Sequence, residues 1–204
     1  MEAAVAVDTI AISPVAAPAT WVLPDRGKVA MASLIIAESA IFTIVVVAYL
    51  FYIGKSVSGP TPRQVLETPI FYTICLLSSS VTIHYAGKGL ERGRQGAFLA
   101  LWLLTAILGG LFMFGTAQEW HRLIYDYGLT ISTNLFGTTY YSLVGLHAFH
   151  VSAGLVMLVT VSILAATGRF GFSQVRRVAI ISMYWHFVDA VWVVVFTVVY
   201  VIGR

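Results

Sequence analysis

Charge is scarce in this chain: Asp, Glu, Lys and Arg make up only 10% of its 204 residues. Soluble domains carry about 25%, so a water-facing surface could not be covered, and the chain reads as an integral membrane protein. Cysteine is almost absent. Cys75 stands alone, which excludes an intrachain disulfide and a thiolate metal cluster. Early positive charge is missing too: Glu2 and Asp8 precede the first basic residue, Arg26. A secretory leader needs a basic start and an unbroken apolar run, whereas Pro14, Pro18 and Pro24 interrupt residues 1–29. That stretch is expected to be an extramembrane arm rather than a cleaved leader. The net charge of +3 is too small to suggest nucleic-acid binding. No phosphate-binding loop, no GxSxG and no HExxH occurs, and no internal repeat or pair of broken helices marks a transporter.

Hydrophobic residues, at 59%, are abundant. Five apolar runs stand out, at residues 30–53, 68–87, 96–118, 136–166 and 178–201. About 20 such residues span a bilayer's hydrocarbon core as a helix. The expected fold is all-α: a bundle of five transmembrane helices over residues 30–204, behind the 1–29 arm. The second run is the most polar, with Thr73, Ser78, Ser79, Ser80, Thr82 and His84, and should face protein more than lipid. Short links rich in Gly, Pro or basic residues separate the runs. Eight Lys and Arg residues fall on the side of the N-terminal arm, including Arg169, and four on the other, including Arg204. Cytoplasmic loops keep the excess of positive charge, so the N-terminus is expected in the cytoplasm and the C-terminus outside.

A few residues do not suit lipid. Glu38 lies about eight residues into the first run, roughly 12 Å along a helix. Asp189 lies near the centre of the last, where insertion of a charge costs roughly 2.5–3.5 kcal/mol. His147 and His150 share the fourth run, and His186 precedes Asp189 by one turn. Such groups are usually paired and face the bundle interior. Glu119 and His121, just past the third run, are expected at the interface. Asp189 reads either as a hydrogen-bonded packing residue or as a proton carrier. Glu38 reads as a buried anchor or a relay carboxylate. Trp185 and Trp192 read as aromatic packing. The histidines offer a choice between haem ligation by His147, His150 or His186 and a polar cluster. A cluster of His147, His150, His186 and Asp189 joining the fourth and fifth helices is the more economical.

These unusual residues also carry a resemblance. "YWHFVDAVW" (184–192) resembles the signature of subunit III of haem–copper respiratory oxidases. "GTTYYSLVGLHAFHVSAG" (137–154) is similar to that family's Gly-x-His-x-x-His segment. "LIIAESAIF" (34–42) is similar to its first shared helix, with Glu38 at the position of the family's buried carboxylate. "LETPIFYTICLLSSSVTIHYA" (66–86) and "AQEW" (117–120) match further segments in the same order. The likeness spans about residues 30–203. The N-terminal arm has no counterpart, Ala190 replaces a residue that is often β-branched, and two helices of the seven-helix form are missing. The short form resembles bacterial quinol and cytochrome c oxidase members.

The resemblance implies an accessory, non-redox subunit of a proton-pumping terminal oxidase that reduces O2 to water. It implies no haem or copper in this chain. Haems and copper are then expected in subunit I, with a dinuclear copper in subunit II if cytochrome c is the donor. Subunits I and II, a small subunit IV, structural phospholipid, and cytochrome c or quinol are the implied partners, in a bacterial plasma membrane. Glu38 becomes a buried acid near subunit and lipid contacts. The rivals are a subunit III-like protein of nitric oxide reductases, a membrane b-type cytochrome and a proton-coupled transporter.

Overall fold

A computed structural model describes residues 25–203 apart from Val57 and residues 168–173. The expected arm up to residue 24, Arg169 and Arg204 lie outside the described residues. Five helices are long and apolar enough to cross a membrane. In chain order the elements are α1 (Arg26–Tyr52), a single turn α2 (Pro62–Val65), α3 (Ile70–Glu91), α4 (Gln95–Tyr125), α5 (Leu135–Ala166) and α6 (Val175–Phe196). A π-helical stretch, Thr197–Ile202, continues α6.

Helix boundaries follow local chemistry more than hydropathy. The first helix starts at Arg26 rather than residue 30. Asp25 caps it, its Oδ1 accepting from the Gly27 amide at 2.8 Å, one of the orphan donors of a first turn. Its other oxygen pairs with Arg176 Nε at 2.9 Å, tying the start of α1 to the start of α6. The third apolar run ends at 118, yet α4 continues to Tyr125. Glu119 and His121 are therefore helical, because neither Gly nor Pro intervenes before Gly128, which sits at φ +62° where a side chain is disfavoured. Asn134 starts α5: its Oδ1 accepts from the Gly137 amide at 2.8 Å.

α3, α4, α5 and α6 form a ring in which each packs on its neighbours, and α1 lies across the α5–α6 pair. Most of α1 faces outward, with Ile36, Ile44 and Phe51 all exposed. Side chains on that face meet lipid or protein, so an outward apolar surface is consistent with a membrane-embedded bundle. The ring's interior is aromatic: Trp102, Phe112, Tyr140, Trp185 and Trp192 are fully buried. Two glycines make room for one of them. A Cβ at Gly109 of α4 would lie 2.7 Å from Trp185 Cη2, and one at Gly154 of α5 would lie 2.7 Å from Cζ3. The indole of α6 thus fills a slot between α4 and α5.

Candidate functional site

The ionisable residues inside the bundle separate into distinct links, each bridging different helices. Glu38 on α1 meets His150 on α5, with Oε2 3.1 Å from Nε2. His150 Nδ1 lies 2.8 Å from the Leu146 carbonyl. A carbonyl only accepts, so Nδ1 carries a hydrogen, and a single proton is shared between Nε2 and the carboxyl of Glu38. Phe42 stacks beside the imidazole at 5.0 Å. Among the described residues α1 packs mainly on α5 and α6, and this pair is a polar fastening of its middle.

On α6, His186 and Asp189 turn toward α3. His186 Nδ1 is 3.0 Å from Ser80 Oγ, and the Ser80 hydroxyl donates to Asp189 Oδ2. Asp189 is 3% exposed, and its Oδ1 has no hydrogen-bond partner. His147 joins neither group. It is fully buried, without a hydrogen bond on either ring nitrogen, between Phe112 at 5.7 Å and Trp192 at 4.9 Å.

The expected single cluster of His147, His150, His186 and Asp189 is corrected accordingly. His147 and His150, three residues apart, differ in azimuth by about 60° on a helix with 3.6 residues per turn. That rotation is enough to aim one at α1 and the other into the ring. Through His186 and Asp189, α6 links to α3; its polar link to α5 is the Tyr184 hydroxyl, which donates to the His150 carbonyl at 3.1 Å.

The tryptophans follow the same plan. Trp185 donates to Ser79 Oγ at 2.8 Å and Trp192 to Thr73 Oγ1 at 3.2 Å, both across the α3–α6 seam. A buried indole N–H usually finds such a partner. Among the described residues, no group of three His, Cys, Asp or Glu side chains is placed to hold a metal ion.

Comparison with known proteins gives these links a context. The sequence profile of "Cytochrome c oxidase subunit III" matches residues 27–204. The chain belongs to the cytochrome c oxidase subunit III family. Its relatives include cytochrome c oxidase subunit 3 of Synechocystis sp., 35% identical over 184 residues, which are 88% of this chain and 77% of that protein. The same subunit of Alkalihalophilus pseudofirmus is 31% identical over 168 residues, 81% of this chain and 82% of the other. Cytochrome bo(3) ubiquinol oxidase subunit 3 of Pseudomonas aeruginosa is 32% identical over 171 residues, covering 83% and 81%.

This subunit III family member also holds a polar site one partner of which its sequence does not announce. Glu119 of α4 is met by Tyr200, whose hydroxyl lies 3.0 and 2.8 Å from the two carboxylate oxygens. Tyr200 sits in the π-helical stretch, whose wider turn re-aims side chains relative to the preceding helix. His121 points outward instead, beside Tyr125 at 4.5 Å between ring centroids. Arg122, one turn past Glu119, pairs with Glu67 ahead of α3. Ser80 and Tyr200 are the partners that residue-by-residue reading passes over. For Ser80 the available signal was its place in the polar run of α3; a π-helix leaves no comparable trace.

Proposed function

We propose that this chain is the accessory, non-redox subunit III of a proton-pumping haem–copper terminal oxidase that reduces O2 to water. It packs against subunit I, holds structural phospholipid and supports proton uptake. The haems and copper belong to subunit I, with a dinuclear copper in subunit II where cytochrome c is the donor; subunit II and a small subunit IV complete the complex. Electrons reach the complex from cytochrome c or quinol. The N-terminus lies in the cytoplasm and the C-terminus in the periplasm of a bacterial plasma membrane, with the basic end of α3 and the basic start of α6 inside.

Support comes first from relatives named as subunit 3 of both cytochrome c and ubiquinol oxidases. The observation that carries the accessory role is how the intramembrane histidines and acids are used. His150 spends both ring nitrogens on protein partners, and His147 is closed in by two aromatic rings. An axial haem ligand needs a ring nitrogen directed at iron, so these residues act better as fastenings between helices than as a cofactor site.

The test is purification of the tagged chain from its native membrane in mild detergent. A reduced-minus-oxidised spectrum and the co-purifying subunits are recorded, and the spectrum is repeated on the chain alone. Haem bands in the complex and a colourless isolated chain are expected. Haem held by the isolated chain would overturn the proposal, and turnover with quinol or reduced cytochrome c would name the donor.

A further inference from the structure

We infer that Asp189, Ser80 and His186 form a proton-exchange relay between a carboxyl group buried at mid-membrane and the aqueous side on which the α3–α4 turn lies. This goes beyond fastening: the same hydrogen bonds that join α6 to α3 also run from the outside of the bundle to its interior.

The hydrogen count sets the direction of the chain. Ser80 has one hydroxyl hydrogen, and it is given to Asp189 Oδ2. Its oxygen, 3.0 Å from His186 Nδ1, must therefore accept, so Nδ1 carries the imidazole hydrogen. In the neutral ring Nε2 is then a free acceptor. His186 itself is exposed at the bundle surface, whereas Asp189 behind it is 3% exposed. A proton bound at Nε2 forms a new N–H bond. The Nδ1–H bond breaks toward Ser80 Oγ, and the Ser80 O–H bond breaks toward Asp189 Oδ2. One proton leaves water and one carboxylate becomes a carboxylic acid; no electrons move, and unloading is the same sequence reversed.

A route to Nε2 is present. His186 lines a groove of about 340 Å3 between α3 and α6, together with His84, Gly87, Lys88, Glu91 and Ser182. Ser80, His84, Lys88 and Glu91 recur at i, i+4, i+8 and i+11, one stripe of α3. The stripe runs from mid-helix to Glu91, the last residue of α3. A Cβ at Gly87 would meet nothing within 4 Å, so the groove is open where a side chain would narrow it. His84, Lys88, Glu91 and His186 are the titratable groups that line it. Lipid is a poor neighbour for two imidazoles, whereas water admitted to the groove would satisfy them. At the far end, Asp189 Oδ1 has no partner. A fixed charge there would stay half-satisfied in a low-dielectric interior, and a carboxyl that takes up and releases a proton does not have to carry one permanently.

The relay is tested by infrared spectroscopy of the full chain in nanodiscs, with carbon-13-labelled aspartate to separate the Asp189 carboxylic C=O band from glutamate bands. On transfer from H2O to D2O, the wild-type band should shift at once. Ser80→Ala and His186→Leu should slow that shift at least tenfold. Should His186→Leu fail to assemble, Ser80→Ala, which removes one oxygen, carries the test. A band absent at every pH, or an exchange rate unchanged in the variants, would overturn the relay. Exchange is read without oxidase turnover, so this result stands apart from that of the proposed function.

Discussion

Adding a single methyl group at Gly154 should loosen the bundle, and the size of the effect follows from the slot around Trp185. A Cβ there would lie 2.7 Å from Cζ3 and 2.8 Å from Cε3 of the indole. Ordinary contact starts near 3.4 Å, so the ring must retreat by about 0.7 Å, the difference between those distances. It cannot retreat freely. Gly109 closes the neighbouring edge, where a Cβ would lie 2.7 Å from Cη2, and the indole N–H is held by Ser79 at 2.8 Å. Overpacking of this kind costs about 1–3 kcal/mol. For a chain of this size 1 kcal/mol moves a melting midpoint by about 2–4 °C, so Gly154→Ala should lower the apparent Tm by about 2–12 °C. The assay is thermal unfolding of the purified chain in mild detergent, run as a double-mutant cycle with Trp185→Phe. The smaller ring leaves room for the methyl group, so Gly154→Ala should cost under about 0.5 kcal/mol in that background. An unchanged Tm in the wild-type background, or an equal loss in both, would refute the slot.

Glu38→Gln should leave initial oxidase turnover largely intact, because the amide can still hydrogen-bond His150 Nε2; immediate arrest of haem reduction would contradict an anchoring role. Glu38→Ala removes that partner and should lower stability by about 0.6–2 kcal/mol, measured as the apparent Tm of the purified chain. Asp189→Leu should reduce the yield of assembled complex more than the turnover of whatever assembles, and normal yield with abolished turnover would reverse that order. Tyr200→Phe leaves Glu119 without its two hydroxyl contacts and should cost about 1–3 kcal/mol, read from the same melting experiment. Glu67→Gln, by contrast, should change stability by about 0.2–1 kcal/mol and less at high salt, since the Glu67 side chain is 77% exposed.

Much of the architecture was legible in one dimension. Spans of 20 or more apolar residues leave a chain few ways to satisfy its backbone except as membrane helices, and all five expected runs became helices, with ends moved by a few residues. Ends moved because helical hydrogen bonding continues wherever Gly and Pro allow it, as between residues 118 and 125, while hydropathy falls earlier. Glu38, Asp189 and the histidines could be picked out by their cost in lipid, and the polar run of α3 does supply partners: Ser79, Ser80 and Thr73 all bond to α6.

By itself, then, the sequence determined the number of membrane helices, their approximate extent and which side chains need polar company. Only the tertiary structure decided whose company they keep. Glu38 pairs with His150, Asp189 with Ser80, and Glu119 with Tyr200, while His147 stacks on Trp192 without a hydrogen bond. Pairing depends on the azimuth and vertical register of one helix against another, and neighbouring helices set both. A three-residue spacing turns a side chain by about 60°, which sends His147 and His150 to different neighbours. The slot for Trp185 has the same origin: two glycines far apart in the chain matter only because packing brings α4 and α5 to neighbouring edges of one ring.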